Sequence, residues 1–197
     1  MTPQPYYLIL GSEPFCNGSY SIASVRSSDT ESIRLWRNEQ ISALRQASEI
    51  SPTEQENYFR TCVFQEFPET HPSQILVRFC NHSTLIGYGG IVHLDWDNLH
   101  GEVSFLLETS RTKDHGNYSK ELDIFFQLIK EVAFSKIGLN KLTTEAYSHR
   151  KFHVDAIENA GFNREGVLRE QIRMNGNWVD AVIASCLSSE YTPARDG

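Results

Sequence analysis

The sequence has no long apolar run. None of its stretches approaches the roughly 20 consecutive apolar residues of a bilayer-spanning helix, and the opening Met1-Thr2-Pro3-Gln4-Pro5 lacks the basic start of a signal peptide. These absences lead us to expect a cytoplasmic protein with no membrane partner. Cysteine is scarce and scattered: Cys16, Cys62, Cys80 and Cys186 form no Cys-x-x-Cys pair, so neither a zinc ribbon nor a disulfide framework is indicated. Histidines are equally dispersed. His149 and His153 have the spacing of one helix face, but no Glu lies between them and no third ligand is in sight, so no metal site is expected. Positive charge is in deficit as well, with 18 Lys and Arg against 25 Asp and Glu for a net charge of -7. Duplex nucleic acid is bound mainly through Lys and Arg, so a nucleic-acid partner is not expected; a small anion needs only a local cluster of donors. There are no internal repeats, low-complexity tracts or linkers.

What remains is the composition of an ordinary globular domain, 40% hydrophobic and 22% charged over 197 residues, which is enough chain for one sizeable core. Residues 1–19, with three prolines and a short Leu8-Ile9-Leu10 run, read as an N-terminal extension or an extra strand. Alternation over 20–25 predicts a strand, and Ser27-Ser28-Asp29 caps a helix over 30–39 that brings Ile33, Trp36 and Arg37 together. A second helix starts at the capping sequence Ser51-Pro52-Thr53-Glu54 and closes near Glu66. Between them, residues 40–50 have no firm period and suit either a lid over a pocket or an extension of the helix. Strands follow over 75–79 and 85–94 as a hairpin, then over 101–107. Gly87, Gly89 and Gly90 inside the second of these predict a bulge or the close approach of something to the backbone.

The stretch from Val103 to Glu131 carries the chemistry. An apolar strand, a polar loop from Glu108 to Ser119 centred on Gly116, and a helix with Leu122, Phe125, Phe126 and Ile129 on one face form a strand–loop–helix unit. Loop amides and the positive end of a helix dipole then converge on one spot, which suits an anion, most often a phosphate. Beyond it come a strand over 141–147, a helix over 152–160 ended by Gly161, and a hairpin of 167–174 with 179–187 around Asn175-Gly176-Asn177-Trp178. The tail over 191–197 is expected to fray.

This order of elements resembles the GNAT acetyltransferases. So do Leu35-Trp36-Arg37-Asn38, Ile86-Gly87-Tyr88-Gly89-Gly90, Ala160-Gly161-Phe162, the run Glu165-Gly166-Val167-Leu168-Arg169-Glu170, and the run Met174-Asn175-Gly176-Asn177-Trp178-Val179-Asp180. The closing runs are similar to the branch of ribosomal-protein N-terminal acetyltransferases and nucleotide-sugar N-acetyltransferases of the pseudaminic acid pathway. The resemblance implies an α+β fold over residues 20–190: a mixed, mostly antiparallel sheet, splayed between its fourth and fifth strands and flanked by helices.

It also implies acetyl-CoA as donor substrate, its pyrophosphate on the loop Lys113, His115, Gly116, Asn117, Tyr118 and Ser119, with Arg150 as a further phosphate contact. Two departures from the family pattern are Tyr118, where a small residue is usual, and Ile157, where a proton-donating Tyr is common. Asp114 adds a negative charge beside the loop. The oxyanion donor falls on a backbone N–H at Leu106 or Leu107. A general base must take a proton from the acceptor's ammonium, and Glu102, His93 and Tyr147 are the candidates. Arg37 and Tyr88 are candidate acceptor contacts. His153 is expected at the helix surface. The acceptor expected from the branch is a small-molecule amine, first a nucleotide-linked amino sugar, with a protein N-terminus as the alternative and a non-catalytic CoA-binding protein as a third reading. Pairing of strand edges into a homodimer is an expectation of such sheets that no particular residue here supports.

Overall fold

A computed structural model describes residues 4–193, and it carries one sheet of eight strands in the order β1-β2-β3-β4-β5-β6-β8-β7. The strands are β1 (Phe15–Asn17), β2 (Tyr20–Ser24), β3 (Ile75–Asn81), β4 (Thr84–Asp95), β5 (His100–Leu107), β6 (Lys141–Tyr147), β7 (Asn163–Met174) and β8 (Asn177–Leu187). Every pairing is antiparallel except β5 with β6. The extra N-terminal strand lies on the β2 edge, and upstream of it Tyr7 is fully buried, its hydroxyl accepting from the Leu76 amide. Of the tail expected to fray, residues 194–197 lie outside the described residues. No helix among the described residues is long and apolar enough to cross a membrane.

Among the described residues four α-helices flank the sheet: α1 (Thr30–Glu39), α2 (Pro52–Tyr58), α3 (His115–Lys130) and α4 (Lys151–Asn159). The expected capping of α2 is present in both directions, the Glu54 amide donating to Ser51 Oγ and the Ser51 amide to the Glu54 carboxylate. The helix does not run evenly to Glu66, however. At Phe59 the amide is shared between the carbonyls of Gln55 and Glu56, and the coil widens over Phe59–Val63 before a last tight turn. α3 starts earlier than the residue pattern suggests. Asp114 accepts from the amides of Gly116 and Asn117, so the residues expected as the end of a loop are the first helical turn.

The core lies between α3 and the sheet. Leu122, Phe125, Phe126 and Ile129, the predicted apolar face, are all at most 1% exposed. Phe125 meets Phe79 and Phe105 at ring-centroid distances of 5.5 and 4.7 Å, and Phe126 meets Phe162 at 5.0 Å. The three β4 glycines are explained here, Gly87 because a Cβ there would crowd the Leu106 carbonyl oxygen at 2.7 Å. A Cβ at Gly89 would overlap the Ser104 carbonyl oxygen and crowd Phe125, and one at Gly90 (φ +142°) would overlap the Ile75 carbonyl oxygen. The close approach inferred from the glycines is thus made by neighbouring strands and α3.

Candidate active site

β5 and β6 pair at only three positions, His100↔Lys141, Gly101↔Leu142 and Glu102↔Thr143, after which the two strands part. The expected splay is therefore present, numbered one strand later because of β1. A bulge in β4 between Val92 and Asp95, with His93 at φ 51°, lies level with the parting point, where Val92 pairs with Glu102. Beyond that point the only strand that β5 pairs with among the described residues is β4. Strand parity says which β5 groups are left over. The Glu108 amide bonds the Ile86 carbonyl, so by alternation the Leu106 amide also faces β4, while the Leu107 carbonyl faces away and accepts from Gln40 Nε2. Of the two expected oxyanion donors, the Leu106 amide is therefore taken up by β4. The amides of Phe105 and Leu107 are on the open side.

A cluster of charge sits where the strands part. Glu102 on β5 and Glu145 on β6 both bond the guanidinium of Arg45, Glu102 through a short ion pair and Glu145 at 3.6 Å. His93 Nδ1 lies 3.1 Å from the second Glu102 oxygen. The carboxylates are sheltered, with side chains 17% and 11% exposed, whereas Arg45 is 50% and His93 71% exposed. One Glu145 oxygen is buried with no hydrogen-bond partner. The sheltered anions are fixed parts of the sheet, and the cation between them is the exposed, replaceable member.

These groups line a cavity of about 690 Å³ that also takes in Tyr147, Arg150 and His153. A second cavity, of about 450 Å³, runs under α1 and α2 and shares Arg37, Tyr58 and Ser104 with the first. Its outer part carries Glu49 and Glu54. Arg37 stands between the two, donating to Tyr88 Oη at 2.7 Å and to Gln46 Oε1 at 3.0 Å. Residues 40–50, expected as a lid or a helix extension, form one tight turn over Ile41–Ala43 and then an irregular strap that delivers Arg45 to the cavity.

Next to β5 and α4, α3 presents its N-terminus. Of the amides expected to cradle a pyrophosphate, those of Gly116 and Asn117 donate to the Asp114 carboxylate at 3.0 and 3.1 Å, and that of Tyr118 to the Asp114 carbonyl. Lys113 is exposed, and His115 stacks on Phe152 of α4 at 4.1 Å and 7°. Tyr118 points inward, 3% exposed, so its bulk fills space between β5 and α4 and leaves the outer face of the turn open. Its hydroxyl lies 2.8 Å from His153 Nδ1. Burial, reinforced by the Arg150 charge, pushes the His153 pKa down to about 3, and burial pushes the Tyr118 hydroxyl up.

The expectation that His153 lies on the surface is overturned. Helical phase turns it toward Tyr118, and it is 8% exposed. Ile157 is buried beside it. Tyr147, at the end of β6, is buried and stacked near His149, with burial raising its pKa. The residues that sequence reasoning missed are Glu145 and Arg45. Glu145 had a readable signal, since it lies two residues before Tyr147 on one strand and so shares its face. Arg45 had none, coming from a segment without a period. Among the described residues no group of three or more His, Cys, Asp or Glu is placed to hold a metal ion.

The family model of the acetyltransferase (GNAT) domain matches residues 22–183. Among solved structures, the spermidine N-acetyltransferase from Vibrio cholerae in complex with CoA and spermine superposes with a TM-score of 0.78 at 16% identity, covering 88% of this chain and 98% of that one. Mutant forms of the spermidine/spermine N-acetyltransferase SpeG from the same organism give 0.70 at 17% identity over 87% and 96%. No curated protein sequence matches. At such identities the superpositions establish the fold, and the match of the domain model over most of the chain establishes the family. With its parted β5 and β6 strands, its helix N-terminus beside them and that match, the chain belongs to the GNAT family and is an acyl-CoA-dependent N-acetyltransferase.

Proposed function

We propose that the protein transfers an acetyl group from acetyl-CoA to a primary amine of an extended, multiply cationic acceptor of the polyamine class. One observation carries this reading: the chain's own guanidinium, Arg45, is held between Glu102 and Glu145 at the point where the strands part. A spot that binds a cation of the protein is suited to the ammonium group of an acceptor. The outer cavity adds Glu49 and Glu54, so an elongated acceptor would find carboxylates at both ends. A nucleotide-linked amino sugar is the poorer fit, because its diphosphate would meet that acidic outer end, where Arg37 is already engaged by Tyr88 and Gln46. The structures of similar fold that bind spermine or act on spermidine agree with the cationic acceptor.

The donor fits the parted strands on chemical grounds. The facing edges of β5 beyond Glu102 and of β6 offer backbone groups that have no strand partner, and an extended chain with amide groups can pair with them. Glu102, at the root of the gap, takes the ammonium proton directly or through a water, and Glu145 holds the remaining cationic charge nearby. The amides of Phe105 and Leu107, on the open side of β5, would donate to the oxyanion. The assay is thiol release from acetyl-CoA with spermidine, spermine and putrescine against UDP- and dTDP-amino sugars and N-terminal peptides. Turnover with the polyamines is expected, reduced 100-fold or more in kcat by Glu102→Gln, on the order of general-base losses. Turnover confined to nucleotide sugars or peptides would overturn the reading.

A further inference from the structure

Aminolysis of a thioester expels a thiolate, and the groups so far assigned serve the ammonium and the oxyanion but not the charge leaving on sulfur. Ile157 has no proton to offer. The polar groups buried between α3 and α4 beside the gap are Tyr118 and His153, with Arg150 at the start of α4. Their order can be worked out from donor inventory. The Tyr118 hydroxyl is buried and, among the described residues, its hydrogen-bond partner is His153 Nδ1, while the Arg150 guanidinium acts on it through its charge. A buried hydroxyl proton must find an acceptor, and the one within reach is His153 Nδ1 at 2.8 Å. Nδ1 is thereby the acceptor, and the single proton of the neutral ring sits on Nε2. His153 lines the cavity, and among the described residues no protein group is bonded to that second nitrogen.

We propose that His153 is a catalytic residue that hydrogen-bonds the departing thiolate through Nε2–H, and that Tyr118 is a positioning residue that fixes the required tautomer. In this step the amine nitrogen bonds to the acyl carbon and the C–S bond breaks, its electron pair passing to sulfur. The nitrogen loses two protons, one from the ammonium before attack and one from the tetrahedral adduct as the C–S bond breaks, and Glu102 passes each in turn to solvent. Sulfur leaves as a thiolate hydrogen-bonded to His153 and takes its proton from solvent after release. A neutral donor is what the site favours near neutral pH, since burial, with the Arg150 charge, pushes the ring pKa down to about 3. The inference depends on the thioester donor and not on which amine is acetylated.

The test compares His153→Leu, His153→Gln and Tyr118→Phe with the unmodified protein. His153→Leu should lower kcat about 10- to 100-fold, the order seen when one preorganised donor is removed, with KM for both substrates within about twofold. His153→Gln keeps an N–H near the Nε2 position and should restore most of the rate. Two readouts do not depend on turnover. NMR of isotope-labelled ring nitrogens should show the Nε2–H tautomer, shifting toward a mixture in Tyr118→Phe. The unmodified protein should bind CoA more tightly than desulfo-CoA, and His153→Leu should bind the two alike. An Nδ1–H tautomer, or an undiminished preference for CoA in His153→Leu, would overturn the proposal. If His153→Leu does not fold, the tautomer and the Tyr118→Phe protein decide it. Loss of polyamine turnover with the preference for CoA intact would instead fault the acceptor reading.

Discussion

Asp114 sits where the donor's phosphates are expected, and the consequence can be measured. Its carboxylate holds the amides of Gly116 and Asn117 at 3.0 and 3.1 Å. A phosphate at the head of α3 must either replace it on those amides or lie within a few ångströms of it. Replacement forfeits a helix cap worth about 1 kcal/mol, and proximity costs a like-charge repulsion of similar size once solvent screening is counted. Asp114 therefore weakens donor binding by about 1 kcal/mol, or roughly fivefold in Kd. Two substitutions separate the contributions. Asp114→Asn keeps a good cap and removes the charge, so CoA should bind about two- to fivefold more tightly, with a shallower dependence on salt and little change in Tm. Asp114→Gly removes both cap and charge at a stability cost of only a few tenths of a kcal/mol relative to a capping side chain, and should bind at least as tightly. Calorimetric titration of CoA at two ionic strengths reads both. Weaker binding by both variants would show that the Asp114 cap organises the turn for the donor, and the competition argued here would be wrong.

The remaining predictions concern the charge cluster and the buried titratable groups. Arg45→Ala should lower KM for spermidine by up to about fivefold, since an exposed ion pair contributes up to about 1 kcal/mol; a raised KM would mean that Arg45 holds the acceptor instead of standing in for it. Glu145→Gln should raise that KM about 10- to 100-fold through loss of a charge-assisted hydrogen bond, with a much smaller change in kcat than Glu102→Gln gives. Acid should destabilise the fold through His153. Because its folded pKa is about 3 against an ordinary 6.5, only the unfolded chain takes up the proton between those values, and stability falls as pH drops through that window by about 1.4 kcal/mol per pH unit from this group. Buried Glu121 acts with the opposite sign, because burial raises its carboxyl pKa and the folded state holds the proton longer as pH rises just above 4.5. Thermal unfolding from pH 4 to 7 should therefore show a shallower acid limb in His153→Gln, and an unchanged limb would refute the assignment.

Legibility of the fold followed how local the causes are. The α2 cap, the α3 apolar face and the Asn175-Gly176 hairpin turn, with positive φ at both residues, depend on residues within a few positions of one another, and a linear reading finds them. Errors came where a side chain's partner is distant or hidden. Asp114 read as an unfavourable charge until its two amide partners showed it to be the cap that starts α3. His153 looked like a surface residue because the hydroxyl it meets belongs to a residue 35 positions earlier. In the candidate site, Glu102 was named through the family resemblance, and strand alternation applied from Tyr147 would have added Glu145. Nothing local marks Arg45, whose place is set by the path of residues 40–50 across the mouth of the cavity.

The two departures from the family pattern make sense together. Tyr118 replaces a small residue in the first turn of α3, and Ile157 replaces a common proton donor on α4, so each alone suggests lost function. In the folded protein the tyrosine ring turns away from the turn's outer face and buries its hydroxyl against α4, four residues from the isoleucine along that helix. The bulk that would obstruct a phosphate is thus spent in the interior, and a polar group enters the same helix interface from the other side. An apolar Ile157 is what lets that interface stay dry, which in turn holds His153 neutral and its hydrogen bond to Tyr118 strong. On this reading the substitutions are coupled. Ile157→Tyr should disturb the Tyr118–His153 pair and lower activity, not restore a missing acid, whereas a gain in kcat would show that the two positions act independently.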